Sequence, residues 1–263
     1  MLRRRIALGL EYDGSQFEGW QTQPHGRTVQ DVLERAIAAF AEETVTTICA
    51  GRTDAGVHAC GQVAHFDTLR NREEFSWVRG VNRFLPPQIS LRWARYVDSE
   101  FHARYCARAR HYDYWIWNES VRSPLAHARV GWVFRPLNVD AMQAAAERLL
   151  GTHDFSSFRS AQCQSASAIR TLVRCDVGRI DRQLVRIRVS ANAFLHHMVR
   201  NVVGALVAVG TGRYSVEWIS QVLEARDRKH AAATIEACGL YLTGVEYDAK
   251  YGVPEPDERL LFR

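Results

Sequence analysis

Apolar and polar residues alternate in the first hundred residues at the period of half-buried β-strands. Ile6, Leu8 and Leu10 form the first such run, and three further strands are predicted over residues 44–50, 62–67 and 89–97. Apolar residues at helical spacing predict helices over 29–40, with Thr28 as N-cap, and over 76–85. The resulting order βαββαβ is typical of a ferredoxin-like domain.

The second half of the chain repeats this order. Strands are predicted over 111–118, 168–180, 184–192 and 240–247, and helices over 139–150, 194–209 and 216–225. We therefore predict an α+β protein of two ferredoxin-like (RRM-like) domains with mainly antiparallel sheets, joined edge to edge with a cleft between them. The predicted domains are residues 1–104 and residues 105–263.

The composition indicates a folded soluble protein, with 47% hydrophobic and 24% charged residues in 263. No apolar run approaches the roughly 20 residues that span a bilayer. The N-terminus begins like a signal peptide, but Glu11 and Asp13 interrupt it, so we expect a cytoplasmic protein without membrane contact. Six cysteines without a CxxC pair favour reduced, packing thiols and no zinc site.

The net charge of +5 arises entirely after Arg104. Between residues 104 and 135, arginines alternate with tyrosine, tryptophan and phenylalanine, a pattern that is typical of RNA-binding surfaces. Aromatic residues on a strand are more often core, so at most part of this set is expected to touch RNA. Arg186 and Arg188 predict a basic sheet face, which either binds phosphate or is only solvated.

Residues 51–59, GRTDAGVHA, place Asp54 beside Arg52 on a loop that glycines can bend sharply. A carboxylate next to an arginine stays ionised, as a nucleophile or base at neutral pH requires. The spacing alone favours a surface turn with a weak ion pair, because loops gather such residues for turn formation.

Residues 194–200, FLHHMVR, open an apolar predicted helix. Adjacent histidines on a helix point about 100° apart and share a metal poorly, so no metal is expected. Arg200 on so apolar a helix requires an anionic partner, which is either functional or purely structural.

Several separate blocks along the chain resemble those of the tRNA pseudouridine synthase A family, in the right order and spacing. They are EYDGSQFEGWQ, RTVQ, AGRTDAGVHA with GQVAHF, FHARYCARARHYDYWIWN, GTHDFSSFR, RTL, FLHHMVRN and GLYL. The resemblance implies an isomerase that converts uridine to pseudouridine at positions 38, 39 and 40 of the tRNA anticodon stem-loop. It also implies a homodimer, with no cofactor and no metal.

The resemblance assigns roles to individual residues. Asp54 matches the catalytic aspartate and Arg52 the arginine that helps to displace the target base. Tyr112 matches the tyrosine that packs against the flipped base, and Arg200 the basic partner of the aspartate. Other predicted substrate-binding residues are Arg108, Arg110 and His58.

The chain departs from the family pattern at two places, and both affect only the expected local backbone. Residues 234–238 read TIEAC where the family has a Thr-Ala-Pro-Ala run, and Ala168 stands where a proline is common. Neither touches the Asp54 loop. Two other functions fit parts of the pattern: a tRNA-binding or folding module that has lost catalysis, and a carboxylate-dependent hydrolase acting on a nucleoside.

Overall fold

The computed structural model describes residues 3–256 as a mixed α+β chain. Its helices are α1 (Val29–Ala41), α2 (Glu74–Asn82), α3 (Val139–Glu147), α4 (Met198–Gly210) and α5 (Trp218–Ala225). Its strands are β1 (Arg4–Tyr12), β2 (Ile48–Cys49), β3 (His58–Thr68), β4 (Ile89–Val97), β5 (Ala109–Trp117), β6 (Gly131–Trp132), β7 (Gly151–Asp154), β8 (Ile169–Arg179), β9 (Leu184–Ala191) and β10 (Leu240–Glu246).

The chain divides into two compact units. The first contains the residues up to Arg110 together with those from Tyr241 onward, and the second is His111–Leu240. The strand predicted to close the second half, β10, therefore packs almost entirely with the first unit, where it runs parallel to β3. The division into folding domains after Arg104 stays a prediction.

In the first unit, β1 lies between β4 and β3, and both neighbours are antiparallel to it. Both faces of β1 are buried, although only Ile6, Leu8 and Leu10 were expected inside. The opposite face carries small residues because Trp93 covers it: a Cβ on Gly9 would lie 2.1 Å from the Trp93 indole nitrogen.

The α1 helix begins where the sequence predicts. Thr28 caps it, accepting from the Asp31 amide, and the Asp31 carboxylate accepts in turn from the Thr28 amide, which completes a capping box. Trp77 of α2 packs edge-on against Phe40 and Phe66, at ring-centroid distances of 5.4 and 5.5 Å, and fills the core beneath the sheet.

In the second unit, β8 lies between β7 and β9, and both neighbours are antiparallel to it. The α3 helix packs on β8 and α4 packs on α3. The short strands β6 and β7 were not predicted, because two to four residues are too few to show a period.

Several predicted elements were wrong in extent, and two of them bear on the candidate site. The strand expected over 44–50 is only Ile48–Cys49. The helix expected from residue 194 begins at Met198, because His197 has a left-handed backbone (φ 63°) that an α-helix cannot contain.

Cysteines form no disulfide within residues 3–256. In the same part of the chain, no helix combines the length and the apolar character needed to cross a bilayer.

Candidate active site

Asp54 lies on the eight-residue loop that joins β2 to β3. The Val57 amide donates to the Asp54 carbonyl over 3.1 Å, and Gly56 has a φ of 77°. This is the arrangement of a type II turn, in which the third position favours glycine. Asp54 is half-buried on this turn, whereas Arg52 is exposed.

The residue before Asp54 is held from three directions. The Thr53 carbonyl accepts from the Trp20 amide over 2.9 Å, and the Thr53 and Tyr12 hydroxyls share a buried hydrogen bond of 2.8 Å. A Cβ on Gly19 would lie 2.8 Å from the same Thr53 carbonyl oxygen. The segment before α1 therefore packs directly on the backbone of the loop, and only glycine fits at that contact.

Buried side chains hold the start of the loop. Gln62, which is fully buried, donates to the Gly51 carbonyl over 2.7 Å and accepts from the Gly51 amide over 3.4 Å. Arg110 donates from Nε and one terminal nitrogen to the Ala50 carbonyl, over 3.3 and 3.0 Å. Since these bonds fix the backbone on the N-terminal side of Asp54, the carboxylate is presented from a rigid base.

His58 forms the end of the loop and the first residue of β3. It is buried, its Nδ1 accepts from the Gly14 amide over 3.1 Å, and its ring stacks on Tyr241 at 4.6 Å. A Cβ on Gly14 would come within 1.9 Å of the Val57 carbonyl oxygen. The end of the loop is therefore hydrogen-bonded to, and tightly packed against, the turn that follows β1.

The ion pair expected between Arg52 and Asp54 is absent. Arg52 makes no ion pair with any residue of the described range 3–256, and its side chain is exposed. Spacing along a bent loop does not by itself determine whether two side chains meet.

The remaining predicted site residues of the first unit differ in environment. Arg110 is 8% exposed and its guanidinium also donates to the Ala107 and Arg104 carbonyls. Arg108 is exposed and forms an ion pair with Asp248. The hydrogen bond from the Lys250 amide and the charge of Arg108 lower the pKa of Asp248. Arg110 is therefore part of the framework beneath the loop, and Arg108 lies at the surface.

Tyr112 and Arg200 belong to the second unit. Tyr112 is 7% exposed and packs edge-on against Phe194, at a centroid distance of 5.1 Å. Arg200 is half-buried in the first turn of α4, where its Nε donates to the Ile235 carbonyl over 2.9 Å. Near it, burial raises the pKa of the Cys238 thiol to about 11.

His196 and His197 lie before α4 and not on it, with ring centroids 4.0 Å apart. The helical argument against a shared metal ligand therefore does not apply to them, and the expected absence of a metal stays a prediction.

The arginine-rich aromatic stretch is divided between core and surface. Tyr112, Tyr114, Trp115 and Ile116 of β5 are buried, whereas Trp132 and Phe134 are exposed. Arg186 lies over the Trp115 ring at 5.5 Å and 4.0 Å from Asp113. The basic face that contains it is thus partly neutralised by neighbouring carboxylates.

Sequence reasoning did not single out Gln62, Trp20 or Tyr12 as supports of the loop. Trp20 and Tyr12 lie in the EYDGSQFEGWQ block and Gln62 in the GQVAHF block, so their place in those blocks was the available signal.

The chain has extensive similarity to known proteins. The family model described as tRNA pseudouridine synthase matches residues 10–106 and 145–248. The proteins named tRNA pseudouridine synthase A from Burkholderia thailandensis and Bordetella parapertussis are 55% and 57% identical, over 95% and 96% of this chain and 92% and 94% of theirs.

A crystal structure of a Cbf5-Nop10-Gar1 complex matches 90% of this chain with a TM-score of 0.39 and 12% sequence identity. This chain spans about half the matched chain, 48% of its length, and a likeness at this level supports no inference.

The first unit presents the carboxylate of Asp54 on a glycine-bearing loop whose backbone is held by hydrogen bonds. The chain belongs to the tRNA pseudouridine synthase family, which is a family of isomerases.

Proposed function

We propose that the protein isomerises uridine to pseudouridine at positions 38, 39 and 40 of the tRNA anticodon stem-loop, with Asp54 as the nucleophile. The observation that carries this proposal is the position of Asp54: a half-buried carboxylate on a loop held by Trp20, Gln62 and Arg110. The names of the relatives, tRNA pseudouridine synthase A, support tRNA as the substrate.

The proposed reaction breaks the N1 glycosidic bond, turns the uracil, and joins C5 of the base to C1′ of the ribose. The C5 proton is lost and a proton returns to N1, so no oxidant, reductant or water is consumed. One carboxylate serves first as nucleophile and then as base, provided that water is excluded while the base is detached.

The other site residues are proposed in the roles that the resemblance implies. Arg52, exposed beside the loop, displaces the target base from the stem, which costs a few kcal/mol of stacking and pairing. Arg200 is the catalytic cation, and Tyr112 packs against the flipped base. Proposed substrate contacts complete the set: Arg108, Arg110 and His58.

We further propose a cytoplasmic homodimer with two ferredoxin-like domains divided near Arg104, acting without a cofactor or metal. Light scattering tests the dimer: a mass near twice 29.9 kDa is expected, and a mass near 29.9 kDa contradicts it.

The central test uses tRNA labelled with tritium at uridine C5. Wild-type protein is expected to release tritium into water while the RNA stays intact and no free uracil appears. Asp54→Asn is expected to lose this release by several orders of magnitude and to keep its fold and tRNA affinity. Asp98→Asn is the matched control, because Asp98 is an exposed carboxylate of the same unit outside the loop.

The same assay distinguishes the two other functions. Tight tRNA binding without release would indicate a binding module, which family membership does not favour. Free uracil in the products would indicate a hydrolase.

A further inference from the structure

Residues 233–236, which we call the strap, run along the first half of α4. The contact is closest at Gly204, where an added Cβ would lie 2.3 Å from the Ala233 carbonyl oxygen. Such an approach leaves no room for a side chain, so the helix and the strap meet backbone to backbone.

The next strap residue, Thr234, belongs to a part-buried hydrogen-bond network. Its hydroxyl donates to Asn201 Oδ1 over 2.6 Å, and one terminal nitrogen of Arg228 donates to both oxygens, over 3.1 and 3.2 Å. Asn201 is completely buried and its amide donates to the Phe158 carbonyl over 2.7 Å. Each polar group of the network thus has a partner, which is the condition for such a network to rigidify its surroundings.

The third strap residue, Ile235, is hydrogen-bonded to Arg200 through both its carbonyl and its amide. Arg200 Nε donates to the Ile235 carbonyl over 2.9 Å, and the Ile235 amide donates to the Arg200 carbonyl over 3.5 Å. The Tyr114 hydroxyl donates to the carbonyl of the last strap residue, Glu236, over 2.9 Å. Four consecutive strap residues are therefore held, and the guanidinium of Arg200 is anchored to the centre of the held segment.

Anchoring at Nε has a specific consequence. A guanidinium is planar, so one fixed N–H bond together with a packed side chain sets the direction of its two terminal nitrogens. An arginine side chain otherwise loses rotamer entropy when it orders on an anion. A strap that orders the side chain in advance removes part of that cost from the reaction.

We infer that Thr234, with Asn201 and Arg228, is a positioning residue: through the strap it fixes the Ile235 carbonyl and hence the orientation of the Arg200 guanidinium. The inference rests on the proposed function in one respect, the role of Arg200 as catalytic cation. The TIEAC segment departs from the Thr-Ala-Pro-Ala pattern of the family. In this inference it supports the site through the Thr234 hydroxyl and the Ile235 carbonyl oxygen.

The network could instead only join α4 to its neighbours, and the experiment has to separate the two roles. Thr234→Val keeps the shape of the side chain and removes the hydroxyl, whereas Thr234→Ser keeps the hydroxyl and is the matched control. We expect Thr234→Val to lower kcat for tritium release about tenfold, as loss of one part-buried hydrogen bond predicts, with KM for tRNA changed less than about twofold. Thr234→Ser is expected to retain wild-type kcat.

A double-mutant cycle tests whether the effect passes through Arg200. Lysine has no Nε donor at the guanidinium position, so in an Arg200→Lys background Thr234→Val should cause no further loss of kcat. An equal loss in both backgrounds, or a wild-type kcat in Thr234→Val, overturns the inference. All assays are run well below the melting temperature of each variant, so that unfolding does not contribute.

One readout does not depend on activity. The Arg200 Nε–H signal in a ¹⁵N NMR spectrum, assigned by its disappearance in Arg200→Lys, should exchange slowly with water in wild type and Thr234→Ser. It should exchange at least tenfold faster in Thr234→Val if the strap releases the side chain. Unchanged exchange contradicts the inference whether or not the wild-type protein releases tritium, whereas absence of release by wild type contradicts the proposed function alone.

Discussion

The backbone amide of Trp20 donates a 2.9 Å hydrogen bond to the carbonyl of Thr53, the residue immediately before Asp54. The preceding residue, Gly19, has a φ of 82° and lies so close to this carbonyl that a side chain would collide with it. A segment 33 and 34 positions before Thr53 in the sequence therefore holds the backbone next to the proposed nucleophile.

Gly19→Ala is predicted to displace the Asp54 loop. The added Cβ would meet the Thr53 oxygen at 2.8 Å in a left-handed backbone conformation, so we expect at least a tenfold loss of tritium release and a loss of stability of about 1–3 kcal/mol. Gly26→Ala is the control, because Gly26 also has a positive φ but an added Cβ there meets only the end of Arg35 at 3.5 Å. Equal activities of the two variants would contradict the prediction.

Arg52→Ala is predicted to separate activity from stability. Arg52 is exposed and forms no ion pair within residues 3–256, so its removal should change the free energy of unfolding by less than about 0.5 kcal/mol. Tritium release should fall at least tenfold if the guanidinium displaces the target base. Urea unfolding and the release assay on the same preparation check both parts, and a stable variant with full activity would remove Arg52 from the site.

Arg110→Met is predicted to destabilise the first unit. The buried guanidinium donates to the carbonyls of residues 50, 104 and 107, and these acceptors would lose their partners. A loss of about 3 kcal/mol or more in the free energy of unfolding is expected, measured in urea. Arg83→Met, at an exposed arginine of the same unit, should change it by less than about 0.5 kcal/mol. Similar values for both variants would show that the buried bonds contribute little.

Acidification is predicted to destabilise the protein through His65. Burial, with the nearby charges of Arg5 and His102, lowers the pKa of His65 to about 4 from its usual 6.5. Between these two values the unfolded chain binds a proton at this position and the folded chain does not, so stability falls as the pH falls from about 6.5 towards 4.

The measurement compares wild type with His65→Asn, whose amide oxygen can still accept from the Ala103 amide as His65 Nδ1 does. The stability advantage of wild type should shrink by about 2 kcal/mol between pH 7 and pH 5, since one pKa unit corresponds to about 1.4 kcal/mol. An advantage that stays constant over this range would show that His65 does not titrate as predicted.

Local signals in the sequence were reliable where neighbours in the chain decide the structure. Thr28 was predicted as an N-cap and forms a capping box with Asp31, three residues away. The strands β4, β8 and β9 end within about a residue of the predicted bounds, because their alternation reflects burial of one face. Two elements that were wrong in extent, around residues 44–50 and 194–197, lack such local support.

At the candidate site, too, the sequence predicted what local patterns decide and missed what distant contacts decide. The blocks of the sequence determined the family and the identity of Asp54, because they lie in a characteristic order. They did not determine that Arg110 would be buried beneath the loop, that Arg52 would lie apart from Asp54, or that Ile235 would accept from Arg200.

The sequence by itself determined that this chain is an α+β protein of the tRNA pseudouridine synthase family with a carboxylate on a glycine-bearing loop. Only the tertiary structure decided that Gly19 and Gln62 hold that loop and that β10 joins the first unit. The physical reason is distance along the chain. Caps, turns and periodicity depend on residues a few positions apart, whereas these contacts join residues between 11 and 183 positions apart.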